Sequence, residues 1–240
     1  MNDFRKRATA IWKEFAADFS KLATIIRKDL LAEFRTRELL FSMLLFALLV
    51  VVVFSFTFEP GTRAARESAP QILWVAFTFA GVLGLHRAFS REVENGCIYG
   101  LILAPVDRGI LFLGKMTGNV IFILIVEIFT LPLFAVLFNV PLFNVLDRLL
   151  IILLLATLGF AAVGTLFSAI AINTRTRETM LPILLLPVEL PVILTAVNAT
   201  AAVLNGRDWA AISGALKILA VFDVIFVMVC YITFEYVLEE

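Results

Sequence analysis

Three carboxylates stand inside long apolar runs: Glu127, Glu189 and Asp223. A charged carboxylate facing hydrocarbon costs several kcal/mol. Each must therefore face the interior of a helix bundle, find a partner, or take up a proton. The chemistry open to such groups is gating or lining a pathway. Glu189 lies between Pro187 and Pro191, whose rings remove backbone hydrogen bonds and predict a broken helix. That makes Glu189 the leading pathway or gating residue, with Glu127 and Asp223 as further candidates. The plainer alternative is a carboxyl that only caps backbone groups the prolines set free. Lys217 and Asp223 do not share a helix face, and Glu127 has no partner evident in the sequence.

Other chemistries find little to work with. His86 is the one histidine, and Cys97 and Cys230 match no metal-ligand spacing, so both are expected as free thiols. A single histidine at a membrane boundary is more often interfacial than a ligand. No Ser/His pair lies at membrane depth. No Gly-x-x-x-x-Gly-Lys-Ser/Thr phosphate loop occurs, so any ATP hydrolysis must come from another chain. The reading is therefore of a non-enzyme with no catalytic residues and no metal.

The elements that position these groups are membrane spans. Of 240 residues 61% are hydrophobic, far above a soluble domain, which points to an all-α integral membrane protein. Six spans are expected: 39–58, 72–85, 118–138, 149–172, 181–204 and 213–237. The second is expected after a short loop reaching residue 71, with Trp74 in the aromatic belt at its outer end. The third continues a helix beginning near Asp107, from which Lys115 can snorkel to the interface. Gly159, Ala162 and Gly164 in the fourth allow close helix approach, either to a second copy or inside one chain. The fifth carries Pro182, Pro187 and Pro191.

Residues 1–38 form a separate unit. Phe4, Ala8, Ile11, Phe15, Phe19, Leu22, Ile26 and Leu30 recur at steps of three or four among many basic residues. This predicts an amphipathic helix lying in the lipid headgroup plane, or one packed on a partner protein. No cleavable signal peptide is expected, so the first span directs insertion. Nine Lys and Arg lie in residues 1–38, four in 87–115 and two in 173–178, against five elsewhere. Positive-inside then places both termini and both basic loops in the cytoplasm. Basic residues hug the membrane and form no basic domain, so nucleic acid is not an expected partner.

Between spans two and three lies a polar island, 87–115. Arg91-Glu-Val-Glu-Asn95 extends below the membrane. Gly96 and Gly100 weaken helix continuity, Tyr99-Gly-Leu-Ile-Leu-Ala104 is a short apolar stretch, and Pro105 stops it. Asp107 is placed to start the next helix. A short surface helix bracketed by breakers can act as a rigid lever.

This order resembles the permease subunits of type-2 ABC exporters. Ile72-Leu-Trp74, Phe89-Ser-Arg-Glu-Val-Glu-Asn-Gly96, Leu103-Ala-Pro105 and Leu184-Leu-Leu-Pro187 with Pro191 resemble the heme exporter protein B (CcmB) family over most of 30–238. The resemblance implies a six-span permease domain, 39–240, whose segment 87–108 couples to a cytoplasmic CcmA-like ATPase. Arg91, Glu92, Glu94, Gly96, Leu101, Ile102 and Pro105 would carry that coupling. Glu92 and Glu94 would meet donors on the ATPase, and Leu101 and Ile102 would supply apolar grip. It further implies the bacterial inner membrane, a heme-handling CcmC-like membrane partner, a small CcmD-like subunit, no cofactor bound directly, and pairing with a second copy. The role of such a subunit is heme delivery or release in cytochrome c maturation. The alternative is a stand-alone secondary transporter or channel built on Glu189.

Overall fold

The computed structural model describes residues 2–58, 62–89, 96, 106–172 and 177–237, with side chains from residue 18 onward apart from 143, 172, 177 and 178. The described residues form seven α-helices and one 3-10 turn: α1 (Asn2–Thr36), α2 (Glu38–Ser55), α3 (Arg63–His86), α4 (Arg108–Phe138), the turn Leu142–Asn144, α5 (Leu146–Ile172), α6 (Arg177–Leu204) and α7 (Trp209–Val237). Helices α2 to α7 are each long and apolar enough to cross a membrane. The chain is an all-α membrane protein, with six candidate spans among the described residues.

Helix α3 departs most from expectation. It begins at Arg63 rather than Ile72, because Thr62 accepts from the Ala65 N–H and caps it, and Arg63 pairs with Glu67 one turn on. Pro70 is accommodated within it. Trp74 is buried inside the bundle, and its indole N–H donates to Thr200 of α6 at 2.9 Å. α3 has the lowest mean hydropathy of the six spans, 1.5, yet 72% of its apolar window is buried. α5 is buried to the same degree, whereas α7 is buried over 17% of its window. The core is thus α3 and α5, with the other spans arranged around them.

Small residues make that core possible. A methyl group at Gly164 would strike Leu85 of α3, and one at Gly159 would lie 2.7 Å from Asp223 Oδ1 of α7. Ala162 is fully buried. All three are spent inside the protomer, which settles the choice the sequence left open. Between the central helices, Ser168 Oγ reaches the Leu85 carbonyl at 2.8 Å, and Asn119 donates to Thr165 at 2.9 Å.

Helix α6 is continuous through Pro182, Pro187 and Pro191, against the expected break. Each proline removes one donor, but Leu181, Leu185, Val192 and Ala196 are buried against the bundle and hold the helix line.

α1 meets α2 at an elbow on Arg37, whose φ of 57° is the left-handed conformation a non-glycine residue rarely takes. Buried Glu33 accepts from the Leu39 and Leu40 N–H groups at 2.8 and 3.0 Å, satisfying the first orphan donors of α2. The expected stripe is partly met: Leu22, Ile26 and Leu30 are half-buried, but Phe19 is exposed.

Candidate functional site

The expected residues fall into two places. The first is mid-bundle. Glu127, near the middle of α4, is 2% exposed, and its Oε1 accepts from the Thr157 hydroxyl of α5 at 2.8 Å. Its Oε2 has no hydrogen-bond partner among the described residues. Beside it is a narrow cavity of about 10 Å³, lined by Trp74, Thr78, Thr157 and Phe160 among others, roughly the space of one water.

Glu189 and Asp223 are carried by α6 and α7, which pack against one another. Their exposures are 0% and 4%, and none of their four oxygens has a hydrogen-bond partner among the described residues. The bare backbone at Gly159 leaves the room that Asp223 occupies. Cys230, two turns beyond Asp223, is a buried free thiol. Asp223 makes no hydrogen bond to Lys217, in keeping with their separate faces. Nor does Glu189 cap the backbone that the prolines free. Among the described residues, no group of three or more His, Cys, Asp or Glu side chains could hold a metal ion. His86 lies in the last turn of α3, half-buried.

The second place is the bundle end where the chain leaves α3 for 90–105 and returns into α4. Of the expected coupling residues, Gly96 is described: it is exposed at φ +66°, a conformation glycine adopts without steric cost. Arg91, Glu92, Glu94, Leu101, Ile102 and Pro105 lie outside the described residues, as does Cys97.

The flanks of that segment are firmly held. On the return side, Asp107 caps α4 by accepting from the Gly109 N–H at 2.7 Å, as its position predicts. Arg108 donates to the Glu235 carbonyl at 3.0 Å, and Gly109 packs under the Tyr231 ring, both on α7. On the entry side, Arg87 pairs with Glu38 at 2.6 Å, and Phe89 packs with Phe234, itself 5.3 Å from Phe112. Lys115 does not snorkel. It is 3% exposed, with Nζ 3.1 Å from Asp29 Oδ2 of α1, 3.1 Å from the Ala88 carbonyl and 5.1 Å from the Phe89 ring centre. This cluster has no signature in local sequence, because its members come from α1, α4 and the turn after α3.

The chain is similar to several known proteins. Heme exporter protein B of Pseudomonas aeruginosa is 27% identical over 173 residues, covering 72% of this chain and 77% of the relative. That of Rhodobacter capsulatus is 29% identical over 177 residues, 74% and 79% of the two chains. That of Bradyrhizobium diazoefficiens is 25% identical over 162 residues, 68% and 72%. The family model described as CcmB protein matches residues 20–239, which take in the second half of α1, all six spans and the 90–105 segment. The chain therefore belongs to the CcmB protein family.

Proposed function

We propose that the chain is the permease subunit of an ABC-type exporter serving heme delivery or release in c-type cytochrome maturation. ATP would be hydrolysed on a separate CcmA-like subunit. The observation that carries this reading is the family match over the whole six-span bundle, with relatives named heme exporter protein B. The permease itself would bind neither ATP nor heme as a cofactor. Heme would be handled by a CcmC-like membrane partner, with a small CcmD-like subunit in the same complex.

In this reading the 90–105 segment docks on the ATPase. Glu92 and Glu94 meet basic or N–H donor groups, Arg91 adds a charge, and Leu101 and Ile102 fill an apolar cleft. Gly96 and Pro105 set the segment's turns. Movement there enters α3 through Ala88 and Phe89, and α4 through its Asp107 cap. Because α3 and α5 are enclosed by their neighbours, motion at one end can pass along them to the mid-bundle carboxylates Glu127, Glu189 and Asp223. Those three would line or gate the pathway.

Positive-inside supports an inner-membrane protein with both termini and the docking segment in the cytoplasm. The exposed basic face of α1, with Arg27, Lys28 and Arg35 beside exposed Leu31 and Phe34, suits contact with lipid headgroups. A second copy would complete the unit. Because Gly159, Ala162 and Gly164 are occupied internally, larger outward side chains would form that contact. A stand-alone transporter built on Glu189 finds less support, since continuous α6 offers no half-helix ends to bind an ion.

The test is reconstitution with purified CcmA-like ATPase. The permease should bind it and raise its hydrolysis, and Glu92→Ala with Glu94→Ala should abolish that effect while the spans stay folded. Gradient-driven uptake by the chain alone in liposomes would overturn the proposal.

A further inference from the structure

We propose that Glu127, Thr78 and Thr157 form a buried site for one water molecule, to which Glu127 donates a proton as a neutral carboxylic acid. The proposal deepens the pathway role given to Glu127 above and in that sense rests on it. The site itself belongs to the chain alone and needs no ATPase.

Its walls come from four helices. Trp74 and Thr78 of α3, Glu127 of α4, Thr157 and Phe160 of α5 and Val192 of α6 face a common cavity of about 10 Å³. A space of that size admits one water and nothing larger. Apolar walls alone would leave it dry, since a buried water persists only where about two to four polar groups meet it. Three side chains here meet that need: Glu127 through its second carboxyl oxygen, and Thr78 and Thr157 through their hydroxyls.

The carboxyl decides which way the hydrogen bonds run. Glu127 Oε1 accepts from the Thr157 hydroxyl at 2.8 Å. Its Oε2 is buried and makes no hydrogen bond among the described residues. Thr157 has spent its one proton on Oε1, and the Trp74 indole proton goes to Thr200. Among the described residues, no Lys, Arg or His lines the cavity. An ionised carboxylate would therefore hold an uncompensated charge in apolar surroundings, the costliest state open to it. A neutral acid needs only an acceptor for its single O–H. The water is that acceptor, and its own two protons go to the oxygens of Thr78 and Thr157. A small hard cation would fit the space but wants more oxygen ligands than three side chains supply. Because each wall is a different helix, the acid can exchange its proton only when those helices part.

Infrared spectroscopy of the purified full chain reads the acid directly. At neutral pH a protonated-carboxyl carbonyl band should be present, and Glu127→Gln should remove it. Thr157→Val, which frees Oε1, should move that band to higher frequency. If Glu127→Gln removes no such band, or Thr157→Val leaves it unmoved, the proposal falls. Should Glu127→Gln not fold, isotope-labelled glutamate in a Glu189→Gln background assigns the band with the same power to refute. Spectra in sodium, potassium and choline buffers should coincide. Loss of the band with one cation would make the cavity a cation site and overturn the acid. The water is read by Val192→Ile, which adds a methyl group beside the cavity. It should lower the unfolding temperature of the wild type by expelling the water, and should not lower that of Glu127→Leu. No fall in the wild type means an empty cavity, and an equal fall in both means simple crowding; either overturns the water. None of these readings uses ATPase stimulation, so the site and the permease reading can fail separately.

Discussion

At Glu189 a carboxyl group has been taken out of solvent with no donor among the described residues, and Asp223 on the adjoining helix α7 is in the same condition. An unsatisfied buried polar group costs about 1–3 kcal/mol. Replacement by an apolar side chain of similar length removes that cost, so Glu189→Met should raise the stability of the detergent-solubilised protein by about 1–3 kcal/mol, read by thermal unfolding. If the pair serves the pathway, the same variant should lose transport in reconstituted complex. Stabilisation with full transport would assign the carboxyl no role in function. Gly159 offers the converse experiment. Its missing side chain is the room Asp223 and Phe222 occupy, so Gly159→Leu should destabilise by about 1–3 kcal/mol through overpacking. Glu127 differs from both, because one oxygen is held by Thr157. Glu127→Gln keeps an acceptor for that hydroxyl and should unfold close to the wild-type temperature.

Among the elements, the joint between α1 and α2 is the most specific piece of local construction. Arg37 takes a left-handed conformation that costs an L-residue roughly 1–2 kcal/mol. Glu33 offsets it by satisfying the two N–H groups that the turn exposes at the head of α2. Glu33→Ala should therefore cost about 1–2 kcal/mol, as loss of a helix cap does, and thermal unfolding will read it. Such joints are scarcely legible in sequence. The six spans were, because runs of about twenty apolar residues have few other meanings, and Asp107 was, because a cap needs only its near neighbours. The head of α3 was misread, since Arg63, Arg66, Glu67 and Pro70 have the composition of a loop and become helical through the Thr62 cap and the Arg63–Glu67 pair. The prolines of α6 suggested a break because local rules describe an isolated helix, and this one is held by its neighbours. Lys115 looked like a snorkelling residue because Asp29 belongs to another helix.

For the molecule as a whole, the proposed orientation rests on the distribution of charge. Cysteines introduced at Arg66 and at Thr24 lie at opposite ends of the bundle. In intact inner-membrane vesicles of known sidedness, a membrane-impermeant reagent should modify the first from the periplasmic side and the second from the cytoplasmic side. The arrangement of spans has a further consequence, for biosynthesis. α3 is the least apolar crossing, with a mean hydropathy of 1.5 against 2.6 for α2, and its polar groups are satisfied by helices synthesised later, Trp74 by Thr200 among them. When α3 leaves the ribosome it has none of those companions and a weak claim of its own on the lipid. It should enter the bilayer only as a hairpin with α2, whose apolar length can carry both. Glycosylation mapping of nascent chains would then find α3 failing to integrate when it is presented by itself and integrating when α2 precedes it. The helix that ends up at the centre of the folded protein would be the one least able to reach the membrane unaided.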